Sequence, residues 1–252
     1  MPEFFFEQFS RNFIKTGFDY STDELLISHV TNQLNETLSL LRSDFPLLIE
    51  WLNWGSTIFP TVVADRILHR ESLSVLDYGG GAGRQYVEIT RPLGEVLAKK
   101  VQYHLVEMPE FCRYATPFIE QIFKDVYLLR FHVHSEIPQI KVDIVSCTSS
   151  LQYSEDFTST IYRLLACNPE IFLVINTPVN TSMTYSRLQC NLEPFKIPQW
   201  VFGINDLDSL FRTRGYKRTF FSTHQLDYPT RDTPPNSETK FSTLFYIRET
   251  AG

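Results

Sequence analysis

Four glycines in five residues, Gly79-Gly80-Gly81-Ala82-Gly83, constrain this chain more than any other stretch. They follow a short β-type run, Leu73-Ser74-Val75-Leu76, closed by Asp77 and Tyr78. They precede Arg84-Gln85-Tyr86-Val87-Glu88-Ile89, which can begin a helix. Glycine loses more backbone freedom on folding than any other residue. Such a cluster therefore destabilises unless the backbone must take positive φ or admit a close neighbour. A strand, a glycine turn and a helix start together make a nucleotide-binding corner. The helix N-terminus adds unpaired N–H groups and a partial positive charge.

The spacing narrows the ligand. Asp77, Gly79, Gly81 and Gly83 spell Asp-x-Gly-x-Gly-x-Gly. A dinucleotide fingerprint needs Gly-x-Gly-x-x-Gly. Counted from Gly79 the third glycine position holds Arg84, and counted from Gly81 it holds Tyr86, so both frames fail.

From Leu73 onward, strand patterns alternate with helix patterns, the signature of a parallel α/β sheet. Strands are expected at Leu73–Asp77, Val101–Glu107, Val126–Val133, Val142–Cys147 and Ile171–Asn176. The helix after the glycine corner should break or kink near Pro92, and Pro109 suits the first turn of the next helix. A less regular stretch, Thr177 to Gly203, carries Pro178, Pro194 and Pro198. Asp206 can cap a helix that holds Leu207, Leu210 and Phe211 inward and ends at Gly215. Two closing strands, Tyr216–Thr223 and Lys240–Arg248, are joined by the loop His224 to Thr239.

Residues 1–70 read as helical, with a capping box at Ser21-x-x-Glu24 and apolar segments at Leu25–Leu41, Phe45–Trp54 and Thr57–Leu68. The expected organisation is a helical N-terminal cap, 1–70, on a ligand-binding core, 71–252.

Charge bounds the partners. The net charge is −6 and the pI near 5.5, and no Lys/Arg cluster occurs, so a nucleic-acid surface is not expected. A small-molecule or saccharide acceptor fits better. The acidic, aromatic N-terminus lacks the basic and long apolar regions of a signal peptide, and no run reaches the ~18 apolar residues of a membrane span. The expected location is the cytoplasm. Cys112, Cys147, Cys167 and Cys190 are scattered, with no Cys-x-x-Cys, which suggests neither a zinc knuckle nor a redox pair. A homodimer is compatible with the chain, and nothing in the sequence requires one.

Ligands of an open parallel sheet bind beyond the carboxyl ends of the strands, which brings five loops into view. The glycine corner is the first. Glu107-Met108 ends the second strand, and a carboxylate there offers two acceptor oxygens to a pair of ribose hydroxyls. Its distance from Gly83 is near the ~20 residues of a nucleotide-binding βαβ unit. The third loop holds His132 and His134, which share a strand face. No third and fourth ligand follow, and no metal is expected. The fourth is Thr148-Ser149-Ser150-Leu151-Gln152-Tyr153. The fifth, Asn176-Thr177-Pro178-Val179, resembles the Asn-Pro-Pro-aromatic motif of amino-group methyltransferases. It follows the wrong strand, however, and lacks the second proline and the aromatic residue.

The glycine spacing resembles motif I of the class I S-adenosylmethionine (SAM) dependent methyltransferases. The strings Leu76-Asp77-Tyr78-Gly79-Gly80-Gly81-Ala82-Gly83, Leu105-Val106-Glu107-Met108-Pro109 and Ser149-Ser150-Leu151-Gln152-Tyr153 are similar to methyltransferases associated with bacterial surface-polysaccharide genes. The similarity covers roughly residues 73 to 178 and is weaker beyond. It implies a Rossmann-like, seven-stranded, mostly parallel sheet whose last strand is antiparallel, with SAM as cofactor. Asp77, Gly79, Gly80, Gly81 and Gly83 would shape the cofactor corner. Glu107 and Met108 would hold the ribose, His134 would lie near the adenine, and Thr148 and Gln152 would flank the methionine end. Gln152 stands where the pattern often has a histidine, so a catalytic His is absent there. An oxygen acceptor needs a base, for which His224 and Tyr153 are the candidates. The rival readings are a NAD-dependent oxidoreductase and a non-catalytic SAM-binding partner subunit.

Overall fold

The computed structural model describes residues 5–15, 23–42, 58–124, 130–192, 195–224 and 238–249. Along the chain, β1 is Phe5–Ser10, α1 Asp23–Arg42, α2 Ile58–Leu68, β2 Leu73–Tyr78 and α3 Arg84–Ala98. Then come β3 Val101–Val106, α4 Pro109–Lys124, β4 Phe131–His134, β5 Ile144–Thr148, a 3-10 turn Leu151–Tyr153 and α5 Phe157–Ala166. The chain closes with β6 Ile171–Asn180, β7 Tyr185–Leu192, β8 Phe195–Gly203, α6 Ile204–Arg212, β9 Tyr216–His224 and β10 Lys240–Arg248. The capping residue Ser21, the segment Phe45–Trp54 with Trp51 and Trp54, and Tyr228 in the loop before β10 lie outside the described residues.

Two compact units divide the chain. The first comprises Tyr20–Thr148 and Ala166–Leu173; the second comprises Met1–Asp19, Ser149–Leu165 and Val174–Gly252.

In the first unit β5, β2, β3 and β4 lie side by side and are all parallel. The register sets Asp77 opposite Leu105 on one side and Ser146 on the other. Val75, Tyr103, Leu105, Ile144 and Val145 are fully buried, as expected of strands covered on both faces. The expected kink in α3 is present: Gly94, two residues after Pro92, takes φ 69° inside the helix. Pro109 opens α4, and Pro117 is carried within it.

In the second unit β9 and β10 are antiparallel, with Phe245 opposite Phe220. β10 also pairs with β6. The stretch 177–203, expected to be irregular, holds the end of β6 and a pair of antiparallel strands, β7 and β8. Pro198 sits within β8 opposite Leu188. The pattern was hidden because this hairpin buries polar side chains: Ser186, Arg187, Gln189 and Gln199 are all buried, so apolar–polar alternation fails as a guide.

The helical reading of 1–70 fails at Phe5–Ser10. That aromatic run pairs antiparallel with β7 and bulges between Glu7 and Phe9, in keeping with the β preference of aromatic residues. Asp206 is not the cap of α6 either. Gly203 occupies that position, and the Asp206 carboxylate accepts the Thr184 N–H at 2.9 Å and its hydroxyl at 2.7 Å. Parallel and antiparallel pairs together make the chain α/β with a mixed, mostly parallel sheet.

Candidate cofactor corner

The glycine corner at the end of β2 is held from within the first unit. Gly79, Gly81 and Gly83 take φ of 70°, 58° and 75°, a region costly for residues that carry a Cβ. Gly80 has a different constraint. A Cβ there would stand 2.0 Å from Asp77 Oδ2 and 2.5 Å from Leu105 Cδ1. These glycines are thus required by the turn itself, whatever binds above it.

Glu107 ties the glycine corner to the end of β3. One carboxylate oxygen accepts the Gly81 N–H at 3.0 Å and the other the Met108 N–H at 3.0 Å. Its own N–H donates to the His134 carbonyl at 3.0 Å, which fixes the end of β3 against β4. A carboxylate has about four acceptor sites, so these two bonds leave others for hydroxyl donors. Burial raises the pKa of Glu107, and the two backbone N–H groups oppose the rise. The Met108 side chain is exposed.

Asp77 faces inward. Its Oδ2 accepts the Tyr103 hydroxyl at 2.5 Å, while Oδ1 has no hydrogen-bond partner among the described residues. Burial pushes its pKa up to about 7; the Tyr103 bond opposes this, and Glu107 and Glu88 add repulsion. Asp77 therefore braces the floor of the corner through Tyr103, a role that sequence spacing alone did not indicate.

Helix α1 supplies two residues that sequence reasoning missed. Gln33 Oε1 accepts the Ala82 N–H at 3.0 Å, and the buried Thr37 hydroxyl donates to the Ala82 carbonyl at 3.3 Å. The two lie one helical turn apart and so share a face. They grip both polar groups of one residue in the glycine turn. Only their position in a helix ahead of the corner was visible in the sequence.

His134 belongs to a stack on the sheet. Its Nε2 is 3.0 Å from His104 Nδ1, and the His104 ring lies 5.0 Å from His132 and 5.3 Å from His134. Burial, reinforced by repulsion from His132 and His134, lowers the His104 pKa to about 4; burial and then His132 lower that of His134. No group of three or more His, Cys, Asp or Glu among the described residues is arranged to hold a metal ion. Thr148, at the end of β5, shares a hydrogen bond with Ser146 at 3.2 Å.

The remaining candidates lie in the second unit. Gln152 is buried, and its Oε1 has no partner among the described residues. The Tyr153 hydroxyl donates to Gln189 Oε1 at 2.9 Å, and burial raises its pKa. His224 ends β9 opposite Phe241, and its side chain lies outside the described part. Ser149 and Asn176 both take positive φ, 52° and 50°. They are joined by a 2.5 Å bond from Asn176 Nδ2 to Ser149 Oγ. Paired backbone strain of this kind gathers at functional sites, and residue types alone do not reveal it.

No known family profile matches the chain, and no curated protein matches it significantly. Solved structures do. Magnesium protoporphyrin IX methyltransferase from Synechocystis PCC 6803, with bound S-adenosylhomocysteine (SAH), is 12% identical at a TM-score of 0.54, over 92% of this chain and 100% of that one. The [4+2]-cyclase SpnF reaches 0.56 at 12% identity, over 96% and 100%. A SAM-dependent methyltransferase from Clostridium acetobutylicum reaches 0.50 at 12%, over 89% and 98%. The fold is the one shared by these two methyltransferases and the cyclase. The cyclase among them illustrates that this fold does not dictate one chemistry.

Proposed function

We propose that the chain is a SAM-dependent methyltransferase acting on a small-molecule or saccharide acceptor, at oxygen. The observation that carries this reading is Glu107. Its carboxylate closes the glycine corner through Gly81 and retains acceptor sites suited to a pair of ribose hydroxyls. The fold of the solved methyltransferases supports it.

The residues fit the cofactor. Gly79, Gly80, Gly81 and Gly83 shape the corner, braced by Asp77, and Glu107 with the Met108 backbone holds the ribose. His134 is assigned to the adenine side, and Thr148 and Gln152 to the methionine end. The Gln152 Oε1, unpartnered among the described residues, is an acceptor that an ammonium group would satisfy. When bound, SAM supplies an electrophilic methyl group. The protein's part is to align the acceptor, exclude water and take up a proton. His224 and Tyr153 are the residues assigned to the acceptor oxygen. With its pKa raised, the Tyr153 hydroxyl stays protonated at neutral pH, so it orients by hydrogen bonding and His224 is left as the base.

The proposed organisation keeps residues 1–70, through their helices α1 and α2, as a cap on a seven-stranded core, with β1, β7 and β8 as additions. Among the described residues no helix is long and apolar enough to cross a membrane, and a cytoplasmic location is part of the proposal. The similarity to surface-polysaccharide methyltransferases makes sugars the first acceptors to try. The test is SAH release with sugars, nucleotide sugars and small phenols. Turnover with one of them supports the reading. Cofactor binding without turnover on any acceptor would favour the non-catalytic partner subunit.

A further inference from the structure

In the second unit, Arg187 is 2% exposed, yet its Nε and Nη2 have no hydrogen-bond partner among the described residues. It takes part in no ion pair among them. Burial lowers its pKa to about 10, so it remains a cation at neutral pH. A buried charge without a counter-charge is costly, so its retention calls for an explanation. The face of the guanidinium is covered, with its carbon 3.5 Å from the centroid of the Phe6 ring. Its edge is bare. Nε and Nη2 are neighbours on that edge and form the planar fork that matches the two oxygens of one carboxylate.

The neighbours extend the pattern. Gln199 is the cross-strand partner of Arg187. It is fully buried, and both polar atoms of its side chain are unpartnered among the described residues. Its Nε2 is a further donor for an anion, and its Oε1 requires a donor from elsewhere. Gln189, two residues from Arg187 on the same strand face, is already engaged by Tyr153. One positive charge, with three donor atoms and one acceptor unpartnered among the described residues, suits a monoanion with a hydroxyl or amine beside it. A phosphate dianion would leave half its charge unmatched.

We propose that the Arg187 edge and Gln199 form a binding site for a carboxylate group of a bound small molecule. If the chain is a methyltransferase, a reading this assignment of the ligand's source rests on, two molecules could bring that group: the acceptor, which is then an acid, or the amino-acid end of the cofactor.

The first test is thermal denaturation of the full chain in sodium formate, against formamide and against sodium chloride of equal ionic strength. Formate should raise the Tm by about 3–5 °C at roughly ten times its Kd. Formamide should not, and the rise should vanish in Arg187→Met. A formate shift no larger than that of chloride or formamide, or one retained in Arg187→Met, would overturn the proposal. Inorganic phosphate acting where formate does not would overturn it as well. The formate–formamide comparison needs no variant, so the lack of a formate-specific shift overturns the proposal even if Arg187→Met does not fold. SAH calorimetry separates the sources. Affinity for SAH unchanged in Arg187→Met, with the formate effect persisting at saturating SAH, assigns the carboxylate to the acceptor. A loss of about tenfold or more, with formate displaced by SAH, assigns it to the cofactor. If the wild type binds no SAH, the methyltransferase reading fails while the formate comparison still stands or falls by itself.

Discussion

Gln33 Oε1 receives the Ala82 N–H at 3.0 Å, and the same oxygen stands 2.1 Å from where a Cβ on Gly81 would be. One helix side chain therefore secures the glycine turn and would have to give up that position to admit a larger residue in it. Gly81→Ala should destabilise twice over, through this contact and through a positive φ worth about 1–2 kcal/mol. Combined with Gln33→Ala, only the backbone part of the Gly81→Ala cost should remain. Chemical denaturation of the two single variants and the double variant reads the coupling. Strict additivity would mean that Gln33 does not contact the turn in solution.

Thr37 offers a milder cut. Thr37→Val keeps the volume but leaves the Ala82 carbonyl without its donor, at a cost of about 1–2 kcal/mol. A Tm lower by roughly 2–6 °C is expected. An unchanged Tm would show that the carbonyl is satisfied another way.

Glu107→Ala should leave the fold intact and weaken SAH binding. The lost charge-assisted bonds correspond to about 1.5–3 kcal/mol, or roughly 10- to 150-fold in Kd. Unaltered affinity would take Glu107 out of the ribose role.

Asp77 and His104 should tilt the pH–stability curve in opposite directions. Asp77 is raised from 3.8 to about 7, so between those values the folded state holds a proton that the unfolded state has released. Its contribution therefore falls as pH rises from about 4 to 7. His104 is lowered from 6.5 to about 4. The unfolded state binds the extra proton between those values, and this contribution rises with pH over the same window. Asp77→Asn should expose the upward slope, and His104→Gln the downward one. Tm series from pH 4 to 8 in which neither variant changes the slope would contradict both assignments.

The parts legible in the sequence were those governed by local rules. The glycine corner, the Pro109 helix start and the break after Pro92 each follow from backbone chemistry within a few residues. The hairpin of β7 and β8 was not legible, because Arg187, Gln189 and Gln199 are polar residues placed where apolar ones are expected. Gln33 and Thr37 are unremarkable helix residues until the fold sets them beside Ala82. Asp77 stands out in the sequence by its spacing, but only the folded chain shows that its carboxylate meets the Tyr103 hydroxyl beneath the turn.

The most direct measurement is calorimetric titration of the purified protein with SAM, SAH and NAD. Micromolar binding of SAM and SAH with no response to NAD is the expected result. Silence from SAM and SAH, or binding of NAD in their place, would contradict a SAM site at the glycine corner.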